Sequence, residues 1–352
     1  MFISKNFKYI LLIIFLFILI IGFILYKVLN LKSSFKEISN INNFTNDFRI
    51  KYYMKKSYDS IFIIKNDNKY NILDNDENLN RVIKLNYPLI ISKKLNNLDY
   101  FEPFKSLLIK INRDKPSDYK NIDFLYFGGD HSQKEKIQGI ISKTREIDDN
   151  NIILLRLETE RHWGPIKTIF SQDRPWTEKN NKIIWRGATT GADRHKQRKI
   201  LVEKYFNHPN KNIDVGFSEI VQNENNQSKN IKSKLDIKDQ LKSKYIISIE
   251  GNDVASGLKW QMYSNSLVFM SKPLIESWFM EGLLKPWYHY IPLKDDYSDL
   301  EEKYNWALNH DEKCQEIISN ANAYVHQFLD ESNEILIMEE ILNRYLQNVK
   351  FV

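Results

Sequence analysis

Residues 245–260 read YIISIEGNDVASGLKW. The β-branched run 245–249 reads as a strand, 250–255 as a turn of small residues, and 256–263 as a helical segment. A further apolar run, SLVFM at 266–270, follows as the next strand. Strands interleaved with helices predict an open, mainly parallel α/β sheet. The same alternation continues outward. Run 182–185 is a strand leading into Arg186-Gly187, 193–206 is helix-like, and 213–215 is a strand. Upstream, run 122–127 leads straight into Gly128-Gly129-Asp130, and 152–157 is another short apolar run. From about Asp299 the chain reads as helical to its end.

In such sheets ligands bind where loops leave the carboxyl ends of strands. Segments 128–130, 186–191 and 250–257 meet that condition, each placing small residues where backbone can approach a ligand. The segment 185–194, WRGATTGADR, offers Gly187 and Gly191 for a tight turn and Thr189 and Thr190 as hydroxyl donors. Arg186 and Arg194 can fork onto phosphate oxygens, and Asp193 can cap the following helix. The same residues also suit an ordinary strand–turn–helix with solvated arginines. In 250–260, a helix beginning near Ala255 or Ser256 would aim backbone N–H groups at a diphosphate, with Lys259 one turn in. A plain Gly-rich connector is the alternative. The segment has neither the P-loop spacing nor a dinucleotide fingerprint. Asp130, after a strand and a Gly-Gly pair, can take a proton from an attacking hydroxyl or simply form a turn.

The remaining chemistry is narrowed by exclusion. Lys and Arg number 51 against 45 Asp and Glu, a formal charge of +6, which is too balanced for a nucleic-acid-coating surface. The one cysteine, Cys314, rules out an intrachain disulfide and a cysteine-rich metal site. Asp74-Asn75-Asp76 matches the Asp-x-Asp metal pattern but lies in a polar Asn- and Asp-rich run, and reads as a loop. No metal site is expected, and a G-x-S-x-G elbow is missing.

Residues 9–29 are apolar except for Lys27. About 20 such residues span a hydrocarbon core as a helix. The run is too long for a signal-peptide core, so an uncleaved single-pass membrane anchor is expected. Lysines flank it on both sides, and the positive-inside rule gives no orientation.

Four blocks occur in order: WRGATTG with Arg194, YIISIEGNDVASGLKW, SLVFM, and LKPWYHYIPL at 284–293. Together they resemble glycosyltransferase family 90, which groups capsule-associated proteins, Rumi-like protein O-glucosyltransferases and lipopolysaccharide-modifying transferases. The resemblance covers roughly 120–345. It implies a GT-B-like α/β fold, two Rossmann-like halves with a cleft between them. It also implies a UDP-sugar donor, inversion at the anomeric carbon and no metal or other cofactor. Asp130 best matches the family's catalytic aspartate. Arg186, Gly187, Thr189 and Arg194 match its donor-contacting element, and Gly251, Val254, Ala255, Ser256, Gly257 and Lys259 its Gly-rich block. Glu276 is similar to a family Glu that holds the ribose hydroxyls.

The expected organisation is an anchor at 1–30, a stalk at 31–60 and an acceptor-side domain at 61–175. A nucleotide-sugar domain at 176–330 and a C-terminal helix at 331–352 complete it. The expected activity is transfer of glucose or xylose from UDP to a hydroxyl of a glycan, lipopolysaccharide or protein. Nucleic acid is not an expected partner. The competing expectation is a membrane-tethered binding protein of the same fold without catalysis.

Overall fold

The computed structural model describes residues 44–59, 62–64, 82–86, 101–114, 123–127, 130, 139–157, 161–191, 196–222 and 224–351. The apolar run 9–29, the triplet 74–76, Gly128-Gly129, Asp193 and Arg194 lie outside them. Among the described residues no helix is long and apolar enough to cross a membrane. Phe44–Val352 forms one compact unit.

That unit is a mixed α/β structure with parallel sheets. In chain order its elements are α1 (Asn46–Met54), β1 (Phe62–Ile64), β2 (Val82–Asn86), α2 (Phe101–Asp114), β3 (Asp123–Phe127), β4 (Ile140–Ser142), β5 (Thr144–Glu146) and β6 (Ile152–Leu154). Next come α3 (Ile166–Gln172), β7 (Asn180–Ala188), α4 (Gln197–Tyr205), β8 (Ile213–Glu219), α5 (Ile237–Gln240), β9 (Ser243–Ile247), α6 (Leu258–Tyr263) and β10 (Leu267–Met270). The chain ends with β11 (Ile275–Ser277), β12 (Ile291–Pro292), α7 (Leu300–Leu308), α8 (Asp311–His326), α9 (Glu331–Asn348) and β13 (Val349–Phe351).

The larger sheet is parallel throughout, in the order β8-β7-β9-β10-β12. Its strands alternate cleanly. Ile183, Trp185, Tyr245, Ile247, Leu267 and Phe269 enter one core, and Ile184, Ile246, Val268 and Met270 the other. A sheet buried on both faces needs such two-sided apolar strands. Chain order runs outward on either side from the β7–β9 pair, so the topological switch point lies between β7 and β9.

The second sheet has the order β2-β3-β4-β6, with β3 antiparallel to β2 and parallel to β4. Phe104 of α2 stacks on Tyr126, ring centroids 5.1 Å apart. The Leu125 N–H donates to the hydroxyl oxygen of Tyr345, on α9, at 2.9 Å. A short antiparallel pair, β5 with β11, sets Arg145 opposite Glu276 and Thr144 opposite Ser277.

The expected stalk, 31–60, takes in residues that belong to this unit. From Phe44 the chain is part of the packed unit, because α1 carries an inward face of Arg49, Ile50, Tyr53 and Met54. Thr45 caps it by accepting the Phe48 N–H. Arg49 forks onto Glu334 of α9 at 2.5 and 2.7 Å, and both side chains are buried. The polar composition of 31–60 concealed that face.

Candidate active site

The loops leaving β7 and β9 meet backbone to backbone. Gly191 has φ +84°, and a Cβ there would lie 2.7 Å from the Gly251 carbonyl oxygen. Both the torsion and the space require glycine. A Cβ on Gly251 would in turn meet the Thr190 hydroxyl at 2.7 Å and the Arg198 guanidinium at 2.8 Å. Arg198, from α4, knits the two loops together. It donates to the carbonyls of Ala188, Ile249 and Glu250 and to the Thr190 hydroxyl. Burial, and then the nearby Arg161 charge, push its pKa down to about 10, so it remains a cation at neutral pH.

Asp130 reaches this junction from the end of β3. Its Oδ1 accepts from Lys143 Nζ at 2.8 Å, and its Oδ2 is 3.4 Å from the Asn252 amide nitrogen. Asn252 turns its other end to the β7 loop, accepting the Gly191 N–H at 2.8 Å. The Asp130 side chain keeps 41 % of its surface exposed. Burial works to raise its pKa, but the charge and hydrogen bond of Lys143, the Asn252 bond and the Arg161 charge outweigh it. The carboxyl is held below its ordinary range and is ionised at neutral pH.

Two further groups face the same point. Arg161 is exposed, and its charge acts on Asp130, His162 and Arg198 alike. His162 is buried. Burial first, then Lys259, Lys143 and Arg161, push its pKa down to about 3, leaving a neutral imidazole. Beside the β9 loop, Val254, Ala255 and Ser248 line a small pocket of about 10 Å³, with Glu250 and Glu281 among its walls.

The structure therefore gathers Asp130, Gly191, Gly251, Val254 and Ala255 around one switch point. Ser256 is half-buried in the turn before α6, and Gly257 is the residue preceding that helix. The helix begins at Leu258, later than expected, and all six of its residues are buried. Several expected donor contacts are engaged elsewhere. The strand β7 runs on to Ala188, because Arg186 pairs with Gly216 and Gly187 with Phe217 of β8. Arg186 then serves that edge, bonding Asp214 and the carbonyls of Trp185, Asp214 and Ser233. Gly187 leaves space for the Trp185 ring, and the Thr189 hydroxyl bridges the Val221 N–H and carbonyl.

Lys259 is fully buried. It pairs with Glu281 at 3.2 Å, with its ammonium over the rings of Trp278 and Phe279. Glu276 is likewise buried, held by Arg145 at 2.8 Å and by the Tyr52 hydroxyl, with Lys55 at 3.9 Å. Charges that look available in sequence have buried counter-charges here. Arg198, Lys143, Arg161 and Asn252 were missed as site residues. For Arg198, the sequence signal was a basic residue in the first turn of the helix after β7.

The LKPWYHYIP string builds a turn before β12. His289 is buried, and its Nδ1 accepts the Lys285 N–H at 2.9 Å. Burial and Lys285 push its pKa down to about 4. Its folded pKa thus lies below the unfolded value of about 6.5. Its contribution is complete above about pH 6.5 and is lost as pH falls towards 4, up to about 3 kcal/mol. In His289→Gln, whose amide oxygen can accept the same N–H, the fall in melting temperature between pH 7 and pH 5 is expected to be smaller. An unchanged slope in thermal melts would exclude this titration.

Over residues 163–352 the chain matches the model of glycosyl transferase family 90. It is 34% identical over 206 residues to O-glucosyltransferase LpsA of Dichelobacter nodosus, covering 58% of this chain and 60% of that protein. Over 193 residues it is 26% identical to protein O-glucosyltransferase 2 of Danio rerio, covering 54% of this chain and 36% of the relative. To protein O-glucosyltransferase 3 of Homo sapiens it is 27% identical over 174 residues, covering 49% and 33%. The chain thus spans less than two thirds of each of these relatives. The family match includes the β7 and β9 loops, whereas Asp130, Lys143 and Arg161 precede it.

Proposed function

Because the chain belongs to glycosyl transferase family 90, we propose that it is an inverting glycosyltransferase that moves glucose or xylose from a UDP-sugar to a hydroxyl. The relatives' names, O-glucosyltransferase and protein O-glucosyltransferase, favour glucose. The acceptor is a glycan, lipopolysaccharide or protein hydroxyl. The apolar run 9–29 anchors the enzyme in a membrane, and its fold is of the two-halved GT-B type.

The observation that carries this reading is the ionised, half-exposed Asp130 held at the switch point of a parallel sheet. Asp130 Oδ2 takes the acceptor's proton while the acceptor oxygen bonds to the anomeric carbon. The bond from that carbon to UDP breaks, and its electron pair leaves with the diphosphate. Arg161, together with Arg194 as the family resemblance implies, neutralises the leaving charge in place of a metal. The buried Lys259 holds Glu281 at the pocket wall. The Gly191–Gly251 contact keeps the donor loops in register, so the reacting atoms meet in a fixed geometry.

The test is to incubate the full-length chain in membranes with a panel of nucleotide sugars and crude acceptor glycans. UDP release is expected from UDP-glucose or UDP-xylose. UDP binding without turnover of any donor would identify a binding protein of the same fold and refute transfer.

A further inference from the structure

Lys143 lies at the bend between β4 and β5, and its side chain is only 5 % exposed. Its ammonium sits 2.8 Å from Asp130 Oδ1 and 2.8 Å from Asp253 Oδ2, one cation between two carboxylates. Asp253 is itself fixed. Its Oδ2 accepts from the Thr144 hydroxyl at 2.8 Å and its Oδ1 from the Val254 N–H at 2.8 Å. The β5–β11 pair sets Thr144 opposite Ser277, and the Thr144 hydroxyl ties the β4–β5 bend to the loop after β9. That strap rests in turn on the buried Arg145–Glu276 pair.

We propose that Lys143 is a positioning residue for Asp130, and that Asp253 makes this positioning depend on the donor loop. The proposal rests on Asp130 being the base. With Oδ1 tied to Lys143, the carboxylate can turn only Oδ2 outward, towards an acceptor. Among the described residues, the hydrogen bond that Oδ2 has to give up is the long one from Asn252. Asp253 shares the ammonium, so Lys143 keeps Asp130 ionised without neutralising it outright. Asn252 joins Asp130 to the Gly191 N–H, so both donor loops reach the base.

The groups acting on Asp130 are Lys143 at the β4–β5 bend, Asn252 and Asp253 after β9, and Arg161 and His162 before α3. Lys143 lowers its pKa, whereas burial raises it. Removing the ammonium leaves burial in force, so the carboxyl titrates at higher pH. Removing the Asp253 charge has no such effect, because the ammonium still pairs with Asp130.

The test is the pH dependence of kcat/KM for UDP-sugar turnover by the full chain in membranes. Lys143→Met is expected to lower kcat by about tenfold to a hundredfold with little change in donor KM, and to move the acid limb to higher pH. Lys143→Arg, which keeps the charge, is expected to return the limb to its wild-type position and recover part of the rate. Asp253→Asn is expected to lower kcat without moving the limb upward. Should Lys143→Met fail to fold, the Arg and Asn variants carry the same comparison. An unmoved acid limb at wild-type kcat in Lys143→Met, or an upward shift in Asp253→Asn, would overturn the proposal. Full activity of Asp130→Asn would instead remove the base assignment on which it rests.

Discussion

Asp130→Asn is expected to lose sugar transfer almost completely, by about a hundredfold to ten-thousandfold in kcat, while UDP affinity stays within about twofold. Asparagine matches the shape of the carboxylate and still presents an oxygen to Lys143. What disappears is the negative charge that accepts the hydroxyl proton. Lys143 does not become a stranded buried cation, because Asp253 remains 2.8 Å away. The loss should therefore register in turnover and leave folding intact. The checks are initial rates of UDP release, a UDP titration and a thermal melt on the same preparation. A rate within tenfold of wild type would show that Asp130 does not act as the base.

Lys259→Ala is expected to destabilise the protein by about 3–5 kcal/mol, the cost of breaking a buried ion pair from one side. Glu281, 2 % exposed beside Lys259, would lose its counter-charge and keep, among the described residues, the Ser277 N–H and hydroxyl. The ammonium would also vanish from over the Trp278 and Phe279 rings. A melting temperature lower by on the order of 10 °C follows for a domain of this size. Lys259→Met combined with Glu281→Gln removes both charges and should recover much of that loss. A variant that melts like wild type but binds UDP poorly would return Lys259 to the donor site, where the family resemblance puts it.

The parallel α/β character was legible because apolar runs and small-residue turns alternate along residues 182–270, and the run 122–127 leads into Gly128-Gly129-Asp130. Those features are local, set by backbone sterics and the two-residue period of a strand. Charge partnerships are not local. Nothing near Lys259 or Glu276 in the pattern announces that Glu281 and Arg145 will cover them in the core. Arg186 looked free because its partner Asp214 lies on the neighbouring strand. The motif's apparent turn is strand as far as Ala188, since β8 supplies pairing that no single segment encodes. Lys143 and Asp253 were hidden for the same reason. They meet only once the β5–β11 pair brings two distant loops together.

The most direct measurement of the central claim is the anomeric configuration of the first product formed from UDP-α-glucose, or UDP-α-xylose, by the full chain, followed by proton NMR. A single carboxylate activating the acceptor opposite the departing UDP requires a β-linked product. An α-linked product, or no cleavage of either donor under conditions where UDP binds, would contradict it.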